Sequence, residues 1–139
     1  MAADAAFSWP LRVYIEDTDA GGIVFYANYL KYMERARTEW ARSCGVQVRG
    51  EIQNGINFVV HSLNVRYHRS ARLDDELVAT AAVIALGRTW LLFQQRVERS
   101  VDGELLCEAE VKVACVGLES GRPCRLPATM QSAAEKIMV

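Results

Sequence analysis

A chain of 139 residues is long enough for one domain, 1–139, with a real core, because a domain of ~150 residues buries roughly 70% of its unfolded surface. Apolar residues at 51% and charged residues at 24% are ordinary for a soluble globular protein, and a net charge of −1 excludes a nucleic-acid binder that relies on a basic surface. No apolar run approaches the ~20 residues of a membrane span, and "MAADAAFSWP" lacks the basic start and long apolar stretch of a signal peptide, so the cytoplasm is the expected compartment.

In chain order, a short first strand is expected from Leu11 to Glu16. A loop, "DTDAGG", follows. A helix then begins between Tyr26 and Asn28, with Asn28 as its cap, and runs to Cys44, where Gly45 suits a left-handed stop. Leu30, Met33, Arg37, Trp40 and Cys44 follow helical spacing, and Tyr29, Tyr32 and Ala36 widen the same stripe. Trp40 reads as core. A helix with that apolar load must lie against a sheet.

The strands come next. Val59, Leu63, Val65 and Tyr67 point one way, and Ser62, Asn64, Arg66 and His68 the other. His61 falls on the apolar parity and reads as a core or interface histidine, and His68 as exposed. Glu76 to Leu86 is apolar on both parities, which predicts burial on both faces. Thr89 to Arg99 and Glu104 to Val116 complete a meander with turns at Gly87-Arg88 and Asp102-Gly103. One helix cannot cover both faces of such a sheet. The surplus apolar surface predicts pairing with further copies of the chain, so a homo-oligomer is expected. The tail after Arg122 ends in a short helix and carries no assigned chemistry.

Cys44, Cys107, Cys115 and Cys124 form no C-x-x-C pair, and with only His61 and His68 beside them no metal site is expected. Cys107 and Cys115, eight apart on one strand, face the same way and read as small buried hydrophobes. No G-x-S-x-G elbow and no phosphate-binding G-x-x-x-x-G-K-[ST] loop occurs. A calcium loop starting at Asp17 would need Glu at its twelfth position, where Asn28 stands.

What remains is a carboxylate-bearing loop that feeds a helix N-terminus. Orphan N–H groups and a partial positive charge at such an end can hold an oxygen that becomes negative during acyl transfer. An Asp one loop earlier could act as a nucleophile or activate a water, and the glycines let backbone approach a substrate closely. The alternative is a plain turn in which the carboxylates only cap backbone donors. Glu34 and Glu39 read as solvated partners of nearby arginines.

"EDTDAGGIVFYANYLKYMERARTEW" resembles the signature of the hotdog-fold acyl-CoA thioesterases, of the 4-hydroxybenzoyl-CoA thioesterase type, and is most similar to the branch associated with the Tol–Pal system. "VRYHRSARLDDEL", Val65 to Leu77, agrees with that family's strand and turn. The resemblance implies an α+β hotdog fold, a curved antiparallel sheet around one long helix, with protomers paired into dimers and commonly tetramers. It implies acyl-CoA as substrate, no cofactor, and Asp19 as the catalytic carboxylate. Asp17 holds the loop, and the backbone N–H at Tyr26 polarises the thioester carbonyl. Gly22 belongs to the same motif at the substrate. Arg88 in "LGRTW" matches a phosphate-binding arginine of the aryl-CoA enzymes; Arg69 and Arg72 are further candidates for the CoA phosphates.

Tyr26 stands where Tol–Pal-type members often carry His, Ile15 where some carry Tyr, and Ser70 where proline is usual. Tyr at position 26 resembles the hydroxybenzoyl-CoA branch, so the acyl group, aliphatic or aryl, stays open. Some hotdog thioesterases place their carboxylate on the helix, where Glu34 lies; here Asp19 already occupies the loop. A hotdog dehydratase and a non-catalytic acyl-CoA binding or scaffold protein are the alternatives. Association with a membrane complex follows from family analogy alone.

Overall fold

The computed structural model describes residues 6–138. Five antiparallel strands form one sheet in the order β1-β3-β4-β5-β2, with β1 at Phe7–Arg12, β2 at Ile56–Tyr67, β3 at Glu76–Leu86, β4 at Trp90–Arg99 and β5 at Leu105–Gly117. The long helix α1, Asn28–Ser43, packs across β1, β3 and β4. A short helix α2, Val48–Gln53, and a C-terminal helix α3, Ala128–Lys136, complete the chain. This is the expected hotdog architecture of a curved sheet around a helix. No helix among the described residues is long and apolar enough to cross a membrane.

Burial of one helical face drives the packing. Tyr29, Tyr32, Met33, Ala36, Trp40 and Ala41 are buried, while Leu30, Arg37 and Cys44 lie at the margin. The apolar stripe is thus turned toward the Tyr29–Ala36 edge of the expected one. Trp40 meets Phe93 of β4 edge-to-face at 5.5 Å between ring centres, a pair worth about 0.5–1.5 kcal/mol beyond its buried area. The helix ends where expected: Gly45 has φ +86, and its N–H donates to Arg42 O at 3.0 Å.

Several expectations need correction. The first strand is Phe7–Arg12 rather than Leu11–Glu16, and Ile15–Asp17 is a turn of 3-10 helix. Pro10 fits within β1 because β1 is an edge strand that needs no donor on its outer side. β3 is only partly buried on its second face: Leu77, Ala79, Ala81 and Val83 are buried, whereas on the other parity Ala82 is buried but Val78, Thr80 and Ile84 are half-buried. The single helix covers one side. In β2 an extra residue at His61 shifts the register, so Val60 pairs with Val113 and joins Leu63, Val65 and Tyr67 on the helix side. Val59 turns to the other face. His61 does not lie in the core of its own chain but is exposed at that bulge, its Nδ1 3.4 Å from Ser62 Oγ. Cys107 and Cys115 are fully buried, as read from their spacing.

Candidate active site

The D-x-D loop is built around Asp17. Its carboxylate accepts the Tyr14 N–H at 2.9 Å, and its carbonyl accepts the Phe25 N–H at 2.9 Å and the Asn28 side-chain amide at 2.8 Å. A carbonyl with two donors and a capping carboxylate fixes the loop against the start of α1. Asp17 is therefore buried and structural in its contacts. Asn28 does not cap the helix. It is the first helical residue, after Ala27, and its side chain reaches back to Asp17 instead.

From Asp19 to Ile23 the chain reverses tightly. The Gly22 N–H donates to Asp19 O at 3.1 Å and the Asp19 N–H to Ile23 O at 2.9 Å. Gly22 has φ +80, where a side chain would be strained. The Gly21 N–H donates to Asp19 Oδ1 at 2.8 Å, which orients the carboxylate. That side chain is exposed at the rim of a cleft of about 350 Å³, whose walls include Tyr26, Tyr29, Tyr67, His68 and Arg69.

The opposite wall comes from the segment after β2. The Val24 N–H donates to Ala71 O at 2.9 Å, and the Ala71 N–H donates to the Tyr29 hydroxyl at 2.9 Å, so the two loops are stitched across the helix start. Tyr67 stands edge-on to Tyr26 at 6.1 Å and to Tyr29 at 5.8 Å. Burial raises the Tyr29 and Tyr67 hydroxyls above their usual range, so both stay neutral donors. Tyr32, deeper in the helix, is raised further by burial and by the nearby Asp17 carboxylate. The Tyr26 backbone N–H makes no hydrogen bond among the described residues. Asp19, with its oriented carboxylate, and Tyr26, with an unused backbone N–H, thus line one aromatic-walled cleft.

Not every expected residue arrives there. Arg69 lines the cleft and its Nε lies 3.3 Å from Glu104 Oε1. Arg72 is exposed on the neighbouring loop, next to Ile23 through a single bridge. Ser70 lies in the cleft wall. Arg88 is not brought to the cleft of its own protomer. It sits in the β3–β4 turn, roughly 35 Å along the hairpin from the end of β3 that adjoins the loops. Glu34 accepts the Thr38 hydroxyl and acts on Arg37 only through space, while Glu39 pairs directly with Arg42. Asn28, Tyr29 and Tyr67 were not read from the sequence as site residues. The signal for Tyr67 was present in its shared parity with Leu63 and Val65, which aims it at the helix.

A family profile described as the thioesterase superfamily matches residues 21–111. The chain is 42% identical over 121 residues to an Escherichia coli O6:H1 protein named acyl-CoA thioester hydrolase YbgC, covering 87% of this chain and 90% of that protein. It is 40% identical to the acyl-CoA thioesterase YbgC of Haemophilus influenzae, covering 94% of this chain and 95% of that one. A solved 1,4-dihydroxy-2-naphthoyl-CoA thioesterase from Synechocystis superposes with a TM-score of 0.87 over 93% of this chain and 95% of its own, at 20% identity, a likeness of fold.

Proposed function

This chain belongs to the thioesterase superfamily, and on that membership we propose that it hydrolyses an acyl-CoA thioester to the free acid and CoA, with Asp19 and the Tyr26 N–H as its reacting groups. The observation that carries the residue assignment is their convergence on one cleft, the carboxylate held by Gly21 and the amide hydrogen uncommitted.

The chemistry needs little else. A leaving thiolate belongs to a thiol with pKa of about 8.5, so it departs without strong acid help. The difficult charge is the one on the carbonyl oxygen, and removing a single donor to it costs roughly 3–4 kcal/mol. The Tyr26 N–H at the start of α1 supplies that donor, reinforced by the helix end. Asp19 either attacks the carbonyl carbon, expelling CoA thiolate and leaving a mixed anhydride that water cleaves, or takes a proton from the water that attacks. Single turnover in oxygen-18 water distinguishes the two, because only the anhydride route carries label into the Asp19 carboxylate.

Arg69 in the cleft wall and Arg72 on the neighbouring loop are the nearest candidates for contacts to the CoA phosphates, and Gly22 leaves room for the substrate. The aromatic wall of Tyr26, Tyr29 and Tyr67 suits a short or medium aliphatic chain or an aryl group. The cleft is open to water in a single copy. Tyr67 in its wall, and Leu63 and Val60 farther along the same edge strand β2, are 46%, 45% and 47% exposed. A second copy on that edge would bury them and close the cleft, which supports a homo-oligomer as the working form. Arg88 then serves the cleft of another copy.

Asp19→Asn keeps the size and hydrogen-bonding reach of the side chain. We expect its kcat to fall about a hundredfold or more with an unchanged melting temperature, measured by thiol release from an acyl-CoA panel. Near-wild-type turnover in that variant removes Asp19 from the reaction.

A further inference from the structure

A second cavity, of about 190 Å³, opens between α1 and the β2, β4 and β5 side of the sheet. It shares no wall residue with the cleft at Asp19. Trp40, Phe58, Leu91, Phe93 and Val113 give it an apolar lining, and Arg37 stands in its wall, roughly 14 Å along the axis from the first residue of α1. Arg37 is half-buried, yet among the described residues its guanidinium has one hydrogen-bond acceptor and no ion pair. That acceptor is the neutral Oε1 of Gln95, at 2.9 Å.

The partner is fixed in that role. Gln95 is wholly buried, and its amide nitrogen donates to Met33 O at 2.9 Å and Thr80 O at 3.1 Å, so the oxygen end must face Arg37. A guanidinium has five donors and keeps its charge even where burial pulls its pKa down, as here. Glu34 also lines the cavity, but its carboxylate is exposed and takes the Thr38 hydroxyl. That carboxylate acts on the half-buried Arg37 through space, and water at its exposed side weakens the effect. The cavity is therefore mostly apolar, with a cation in one wall that makes no ion pair and that the exposed Glu34 carboxylate offsets only through space.

We propose that this cavity is a binding site, distinct from the catalytic cleft, for a small carboxylate with an apolar body, its carboxylate on Arg37 and its ring or chain against Trp40 and Phe93. The volume corresponds to about six waters at ~30 Å³ each, below the 300–1,000 Å³ of drug-sized ligands, and so selects a single ring or a short chain. A planar guanidinium favours a carboxylate, which can engage two of its donors at once.

The test uses benzoate and its uncharged isostere benzamide as probes, followed by calorimetry and by the methyl resonance of Met130, which lines the cavity. Benzoate should bind the wild type, shift the Met130 methyl and bind Asp19→Asn equally well. Benzamide, and benzoate with Arg37→Met, should each bind about tenfold more weakly or worse. No benzoate binding to the wild type, equal binding of benzamide, or loss of binding in Asp19→Asn would each overturn the proposal. Should Arg37→Met not fold, Val113→Phe fills the cavity with a ring instead; a folded Val113→Phe protein that still binds benzoate normally also overturns it. Neither readout depends on turnover, so the hydrolase assignment stands or falls separately.

Discussion

Asn28 illustrates how one side chain can set a distance between two others. Its amide ties the Asp17 carbonyl to the first turn of α1, and so holds the loop that carries Asp19 against the backbone that carries the Tyr26 N–H. Removing a buried donor leaves the carbonyl one partner short, at a cost of about 1–3 kcal/mol. Asn28→Ala should therefore lower the unfolding free energy read from urea titration by about that amount and reduce kcat with little change in KM. Asn28→Asp should be worse than Ala in both respects, because it turns a carboxylate oxygen toward a carbonyl oxygen beside the buried Asp17. Equal stability of the two variants would show that the side chain does not act through this hydrogen bond. Residue types alone are nearly silent on such a tie: Asn before a helix reads as a cap, and only the position of Asp17 in space gives it a different partner.

At the scale of elements, β5 carries two buried thiols on its helix-facing side. Burial pushes both Cys107 and Cys115 up to about 12, from an ordinary value of 9.0. The proton is thus held more tightly in the folded chain than in the unfolded one. Their contribution to stability is present below pH 9 and is lost as pH rises from 9 toward 12. Urea midpoints measured at pH 8 and about pH 10.5 should fall steeply for the wild type and less steeply for a Cys107→Ala, Cys115→Ala double variant. Parallel slopes would mean that other groups dominate alkaline unfolding. The bulge at His61 is the second lesson at this scale. One extra residue in β2 moves Val60 to the helix side and leaves an apolar row facing the gap that α1 does not cover.

For the whole molecule, the exposed apolar row on edge strand β2 and the isolation of Arg88 from Asp19 ask for the same completion. Leu63→Lys places a charge in the middle of that row, and we expect a monomer by light scattering with reduced kcat. An unchanged oligomer would remove the β2 edge as the interface. Mixing tests Arg88 directly. Arg88→Ala alone should raise KM, since phosphate contacts bind ground and transition states alike. When Arg88→Ala and Asp19→Asn protomers are co-refolded, a low-KM activity should reappear, because an intact Asp19 on one copy can meet an intact Arg88 on another. No low-KM component would place Arg88 outside the neighbouring cleft.

The letters alone determined that a long helix lies on a sheet, the end of α1 at Gly45 and the strand meander from Glu76 onward, since periodicity and turn glycines are local properties of the chain; the hotdog class followed from the family resemblance of the D-x-D segment. The first strand was misplaced because an edge position, invisible in one dimension, is what lets Pro10 lie within a strand. Tertiary structure decided which residues meet: Asn28 with Asp17, Tyr67 with Tyr26, Arg37 with Gln95, and Arg88 with none of the cleft. Those encounters join segments far apart in the chain, and one inserted residue at His61 was enough to exchange Val59 for Val60 on the inner face. Side-chain partnerships of that kind depend on register and packing, which no single stretch of sequence contains.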